Sequence, residues 1–214
     1  MSLIDVRNLS FSYEGSAETV FENVSFQLDT NWRLGLVGRN GRGKTTLLRL
    51  LQGALPCGGQ IHADVEFEYF PYAVEDAEAF TVEVIRAAAP GAEDWQIARE
   101  CSLLDLPEEL LWQTFESLSF GERTKALLAA LFLRDNAFLL IDEPTNHLDA
   151  AGRQKLADYL RRKRGFLMVS HDRAFLDGCI DHVLALDRAQ ITIQRGNFSA
   201  WWQEKLQQDQ AQLE

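Results

Sequence analysis

The sequence predicts an α/β fold: a core with a largely parallel sheet and an inserted helical subdomain. Three observations predict it. Short apolar runs without alternation, at 138–141 and 166–169, have the pattern of strands buried on both faces, and such strands alternate with helix-like segments towards both ends of the chain. A glycine-rich stretch, Gly38-Arg-Asn-Gly-Arg-Gly-Lys-Thr45, separates an apolar strand from a helix. Residues 81–135 read as helical and interrupt the strand order as an insertion.

Each element has its own signal. Val24, Phe26 and Leu28 alternate with Ser25 and Gln27, as a half-buried strand does. Residues 33–37 form a short apolar strand, and 45–52 have helical spacing that stops at Gly53. Gly58-Gly59 predicts a turn before strands at 60–64 and 65–70. Helices follow at 81–89, 94–104 and 121–133, then the strand 138–141, a helix at 150–162 and the strand 166–169. Residues 183–187 and 191–194 read as edge strands, and the chain is helical from Asn197 into its glutamine-rich end. There is no internal repeat and only one phosphate-loop motif, so the expectation is one core with one insertion.

Composition narrows the class. The chain has 214 residues, 46% hydrophobic and 25% charged, enough for a single well-cored unit. Its apolar residues are too many for a disordered chain and too dispersed for a membrane span. The start, MSLIDVRNLS, lacks the basic-then-apolar order of a secretory signal. Cys57, Cys101 and Cys179 are odd in number and scattered, which suits reduced thiols and neither a disulfide framework nor a zinc site. A cytoplasmic protein is expected. Residues 51–120 carry two basic and fourteen acidic side chains, a net of −12 within a total of −11, while the flanking thirds are near neutral. That stretch does not attract phosphate backbones through its field, and a solvated acidic face explains it.

The stretch Gly38–Thr45 satisfies GxxxxGK[ST]. Gly38, Gly41 and Gly43 permit backbone angles closed to other residues, so that the amides of the loop, Arg39, Asn40 and Arg42 included, turn inward on phosphate oxygens. The helix that follows adds its positive end. Lys44 supplies charge to the β- and γ-phosphates, Thr45 a hydroxyl to Mg2+, and Thr46 continues the binding turn. A plain glycine-rich turn lacks the strand before and the helix after, which this motif has.

Two acids, Asp142 and Glu143, end the apolar strand 138–141, at the sheet edge where ligands bind in open α/β folds. Taken alone they are an ordinary strand-end pair. Beside a phosphate loop, Asp142 is placed to serve Mg2+ and Glu143 to polarise an attacking water. His171 follows the strand 166–169 and should emerge at the same edge; capping or packing is its bland role, a hydrogen bond to the γ-phosphate its functional one. The basic run Arg161-Arg-Lys-Arg164 closes a helix before Gly165, where cations complement the helix dipole; an rRNA contact is the alternative.

With these motifs in place the chain resembles a known family. Leu118-Ser-Phe-Gly-Glu122 looks like the signature of ATP-binding cassette (ABC) ATPases. Asp142-Glu-Pro-Thr-Asn-His-Leu-Asp149 resembles the run from Walker B through the D-loop, and Ser170-His-Asp-Arg-Ala-Phe-Leu176 the switch-histidine segment. DEPTNHLD with SHDRAFL is similar to the ABC-F subfamily, twin ATPases without membrane domains, and residues 30–53 look like its Lsa-type antibiotic-resistance, ribosome-protection branch. The resemblance spans essentially the whole chain. It implies that Tyr13 stacks on adenine (an ordinary edge-strand aromatic is the alternative), and that Ser119, Gly121 and Glu122 form the signature offered to a nucleotide on an opposing domain. It also implies that Asp149 lies at the interface between domains. Two positions depart from the pattern: Phe120 stands where the signature has its first glycine, and Tyr72 where a glutamine normally helps hold Mg2+ and water. Both fall where turnover is sensitive.

The resemblance implies a phosphate-loop ABC ATPase core with a largely parallel sheet, a small antiparallel β subdomain and an inserted helical subdomain, in one cassette, residues 1–214: core and β subdomain at about 1–71 and 136–197, the helical subdomain at about 72–135 and the start of an interdomain linker helix at about 198–214. It implies an N-terminal half whose partner is a second nucleotide-binding domain, in cis or as a homodimer formed on ATP, with ATP and Mg2+ bound and the ribosome as a further partner. Hydrolysis is expected to be weak in the isolated half. The alternatives are the ATP-binding subunit of a membrane transporter and a nucleotide-binding clamp with little catalysis.

Overall fold

The computed structural model describes residues 2–38, 41, 43–187 and 190–211. Among them the strands in chain order are β1 (Leu3–Ser12), β2 (Thr19–Asp29), β3 (Arg33–Gly38), β4 (Gly58–His62), β5 (Glu66–Phe70), β6 (Ala137–Asp142), β7 (Phe166–Val169), β8 (His182–Asp187) and β9 (Gln190–Arg195). The helices are α1 (Lys44–Gln52), α2 (Thr81–Ala88), α3 (Asp94–Leu103), α4 (Phe120–Phe132), α5 (Ala150–Arg161), α6 (Arg173–Cys179) and α7 (Phe198–Ala211). A small antiparallel sheet has the order β2-β1-β4, and a larger one the order β5-β6-β7-β3-β8-β9. The larger sheet is parallel except for β9.

The apolar runs behave as strands buried on both faces. Phe138 and Leu140 of β6, Leu167 and Val169 of β7, and Leu184 and Leu186 of β8 join the core shared with α1 and the small sheet. Their neighbours Leu139, Ile141, Phe166, Met168, Val183 and Ala185 join the core on the other side, with α2 to α6. The two-residue period of a strand sends alternate side chains to opposite cores. β5 and β6 are parallel neighbours, and α2, α3 and α4 lie in the chain between them. Among the described residues no helix is long and apolar enough to cross a membrane.

The structure corrects the expected elements in four places. Residues 183–187 belong to an interior strand: β8 pairs with β3 on one side and β9 on the other, and only β9 is an edge. Gly58 and Gly59 lie inside β4 rather than in a turn before it. A Cβ on Gly59 would meet the carbonyl oxygens of Arg7 and Asn8 at 2.4 Å, so glycine is required by the close approach of β1. β1 itself carries no clean alternation, because Asn8 adopts a φ of 51° and the register slips between Val6 and Leu9. That bulge shifts the buried positions from even residues (Ile4, Val6) to an odd one (Leu9). The fourth correction is α6, an unexpected helix only seven residues long, with the Asp172 carboxylate capping it by accepting from the Phe175 N–H at 3.0 Å.

Arg161 and Lys163 of the basic run are engaged in the fold. The Arg161 guanidinium donates to the Gly178 carbonyl at 2.9 Å, and Lys163 pairs with the buried Glu100 of α3 at 2.5 Å. Cys101 and Cys179 are buried free thiols, each pushed up to about 12, mainly by burial.

Candidate functional site

β3, β6 and β7 run parallel and end at one edge, delivering the phosphate loop, Asp142–Glu143 and His171 to the same place. There a cleft of about 480 Å³ is lined by Tyr13, Gly41, residues 43–46, Asp142, Glu143 and His171. Gly43 explains why the loop needs glycine: its φ is 89°, and a Cβ would fall 2.6 Å from Val20 Cγ1. Gly41 is left-handed too, at 76°, and a Cβ on Gly38 would come within 3.0 Å of the Leu186 carbonyl oxygen. Arg39, Asn40 and Arg42 lie outside the described residues.

The Lys44 ammonium donates to the Gly38 carbonyl at 2.8 Å, closing the loop on itself. Burial lowers its pKa, and the charges of Glu143 and Asp142 oppose that shift. Thr45 donates its hydroxyl proton to Asp142 Oδ2 at 3.1 Å. The buried Thr46 shares a 2.7 Å hydrogen bond with the Tyr13 hydroxyl, which ties that half-exposed aromatic to the first turn of α1.

Glu143 is the strained residue of the site. Its φ is 50°, a conformation costing a non-glycine residue about 1–3 kcal/mol, and its N–H donates to the Val169 carbonyl at 2.9 Å. Oε2 accepts from the His171 backbone N–H at 3.2 Å. His171 Nε2 stands 3.1 Å from Oε1 at ion-pair distance but off the hydrogen-bonding line, so this solvent-shielded oxygen retains unused acceptor capacity. Burial raises the Glu143 pKa above the ordinary carboxylate value; the His171 N–H, the His171 ring and Lys44 pull it down, and Asp142 pushes it up. A carboxylate with a raised pKa and a spare lone pair is suited to take a proton.

Sequence reasoning missed one member. The Tyr69 hydroxyl donates to Asp142 Oδ2 at 2.7 Å, and the Arg49 guanidinium carbon lies 3.8 Å from the centre of the Tyr69 ring. An aromatic late in a strand reads as core; only the pairing of β5 beside β6, Tyr69 opposite Leu140, brings its hydroxyl to the acid.

The signature residues sit elsewhere. Ser119 caps α4: its hydroxyl accepts from the Glu122 N–H at 3.3 Å, and the Glu122 carboxylate accepts from the Ser119 N–H at 2.8 Å. A Cβ on Gly121 would meet the His147 carbonyl oxygen at 3.1 Å. These three residues line a second concavity of about 510 Å³ together with Phe120 and Asp149, and none of them lines the phosphate cleft. Asp149 caps α5, accepting from the Gly152 N–H at 2.7 Å. Phe120 is 64% exposed and stacks on His147 with ring centres 5.1 Å apart. Tyr72 lines a cavity between α4 and the acid pair, its hydroxyl buried without a hydrogen-bond partner.

A glycine loop at the C-terminal edge of a parallel sheet, sharing a cleft with two acids at the end of the next strand but one, defines a phosphate-loop nucleotide-binding protein. The chain belongs to the ABC transporter family, whose family model matches residues 21–146, and its relatives place it with the F subfamily. It is 36% identical over 192 residues to the ribosome protection protein VmlR of Bacillus subtilis, covering 89% of this chain and 32% of that protein. It is 30% identical over 207 residues to ATP-binding cassette sub-family F member 2 of Mus musculus (93% and 33% covered), and 29% identical over 199 to elongation factor 3 of Candida albicans (91% and 19%). The chain thus spans a third or less of the length of these relatives. In fold it is similar to the solved ATP-binding subunit of an ABC transporter, with a TM-score of 0.75 at 24% identity and 90% of each chain covered.

Proposed function

We propose that this chain is one cassette of an ABC-F ATPase that binds ATP with Mg2+ in the phosphate cleft, hydrolyses it against a second cassette and works at the ribosome. Similarity to a ribosome protection protein and to an elongation factor supports the ribosome as partner, and the F-subfamily relatives support a second cassette, in cis or as a homodimer closed by ATP. In this reading residues 1–71 and 136–197 form the core and β subdomain, 72–135 the helical subdomain, and the helix from 198 the start of a linker.

The residues present fit Mg2+. Thr45 and Asp142 offer two hard oxygen donors 3.1 Å apart at the cleft. An ion held there would be completed by substrate phosphates and water. When bound, the ion neutralises charge on the β- and γ-phosphates. The loop amides and Lys44 hold the phosphates, and Tyr13 meets the base. Glu143 Oε1 takes the proton of the attacking water. His171, joined to Glu143 through both its N–H and its ring, positions that carboxylate and faces the γ-phosphate.

The observation that carries this reading is the Glu143 carboxylate, shielded, raised in pKa and with one oxygen accepting no hydrogen bond, in the same cleft as Lys44 and Asp142. Glu143→Gln is expected to cut turnover of the two-cassette protein by about 100-fold or more while ATP affinity is retained. The same variant with ATP should co-sediment with ribosomes. Unchanged turnover overturns the catalytic assignment, and absence of salt-sensitive co-sedimentation overturns the ribosomal one.

The separation of the two concavities supports slow turnover by the isolated chain: Ser119, Gly121 and Glu122 line the second concavity and not this cleft, and in this reading another domain supplies them. The exposed ring of Phe120 at the head of α4 favours a second reading, a nucleotide clamp that closes but hydrolyses little. ATP affinity without turnover in the two-cassette protein would select it. Stable copurification with a membrane permease would select a transporter subunit instead.

A further inference from the structure

We infer that Tyr69, backed by Arg49, is a positioning residue for Asp142, fixing the carboxylate that faces the metal of bound nucleotide. The inference rests on the reading of Asp142 as a metal-facing acid.

Two donors converge on a single oxygen, Asp142 Oδ2: the Tyr69 hydroxyl at 2.7 Å and the Thr45 hydroxyl at 3.1 Å. They are anchored differently. Thr45 lies in the first turn of α1, at the end of the phosphate-loop motif, and lines the cleft. Tyr69 is 5% exposed on β5, locked opposite Leu140 by the parallel ladder to β6, and its position does not depend on the loop. A carboxylate at a strand end turns freely about its last torsion. Donors from two separate elements, α1 and β5, restrain that turning more than either does alone.

The chemistry of the donor matters as much as its place. A lysine or arginine here would neutralise Asp142 and compete with a divalent cation for its charge. A phenol orients the carboxylate and leaves it anionic. A phenol keeps its proton at neutral pH, so the tyrosine donates. Arg49 lies against the ring, with its Nη1 also donating to Gln52 Oε1 at 3.3 Å; a cation on the ring face strengthens the phenol as a donor. Of the two tyrosines flanking Phe70-Pro71, Tyr72 leaves its hydroxyl without a hydrogen-bond partner, and Tyr69 supplies the polar contact to the acid.

The test is Mn2+ titration, followed by electron paramagnetic resonance, of the full chain holding a non-hydrolysable ATP analogue, with the analogue's affinity measured separately in chelator. Tyr69→Phe, which keeps the ring, should weaken Mn2+ binding about tenfold and leave metal-free analogue affinity within about twofold. Arg49→Met should weaken Mn2+ binding about threefold. Wild-type Mn2+ affinity in Tyr69→Phe overturns the proposal. So does a proportional loss of metal-free affinity, because the hydroxyl then supports the fold rather than the carboxylate. Asp142→Asn separates the two layers: if it weakens Mn2+ binding while Tyr69→Phe does not, only the role of Tyr69 falls. If Asp142→Asn has no effect either, the metal-facing reading of Asp142 falls and this inference with it.

Discussion

The phosphate cleft and the head of α4 are both rich in motif residues, yet they use their polar groups in opposite ways. At the cleft one group is held at a cost: Glu143 is left-handed, with Oε1 shielded from solvent and accepting no hydrogen bond. At the head of α4 the groups satisfy one another. Ser119 and Glu122 form a reciprocal cap, Asp149 caps α5, and the Arg123 Nε donates to the Leu118 carbonyl at 3.0 Å. The first region is poised for a small ligand that brings many hydrogen-bond partners. The second is a set of helix caps closed within the chain.

Substitutions should separate the two regions. The largest effect on binding is expected from Lys44→Ala, which should reduce ATP affinity on the order of 100-fold by calorimetry, because it deletes a charge-assisted partner of the phosphates. Gly43→Ala should lower stability by about 1–3 kcal/mol and impair binding together, since a Cβ there meets Val20 and the backbone is left-handed. Thermal melts with and without ATP will show both. Ser119→Ala should lower stability by about 1 kcal/mol through loss of the cap, with monomer ATP affinity unchanged. A fall in monomer affinity would erase the distinction between the regions.

The smallest effect concerns pH. The Glu143 pKa is raised in the folded state, so its ionised form opposes folding: the stability it contributes is full below the ordinary value of 4.5 and is lost as pH rises through the folded value. Glu143→Gln should therefore melt at or above the wild-type temperature at neutral pH. That advantage should vanish as pH falls below about 4.5, where the unfolded carboxyl is protonated as well. Melting curves at pH 4 and pH 7.5 check the sign.

Much of this was legible in one sequence, and the exceptions have physical causes. The strands at 138–141 and 166–169 were legible because a run with no polar residue has no face to turn to water. The phosphate loop was legible because its chemistry lies within eight consecutive residues. The interior position of β8 was not: its apolar run resembles its neighbours', and the β3–β8 ladder joins residues nearly 150 apart. β1 was hidden by its own bulge, whose slip at Asn8 breaks the period that marks a strand. α6 is too short to establish one, and Gly178 in its last turn reads as a break, although a Cβ there would already touch the Ala157 Cβ at 3.4 Å.

The sequence alone determined what is local: which residues lie on strands or helices, which glycines the loop needs, and which acids end a buried strand, because backbone preference and side-chain period act over a few residues. The tertiary structure alone decided what depends on strand order. It set Tyr69 against Asp142, His171 against Glu143, and the signature away from the cleft of its own chain. Those contacts join residues 28 to 73 positions apart, and no short-range pattern records a distance that only folding closes.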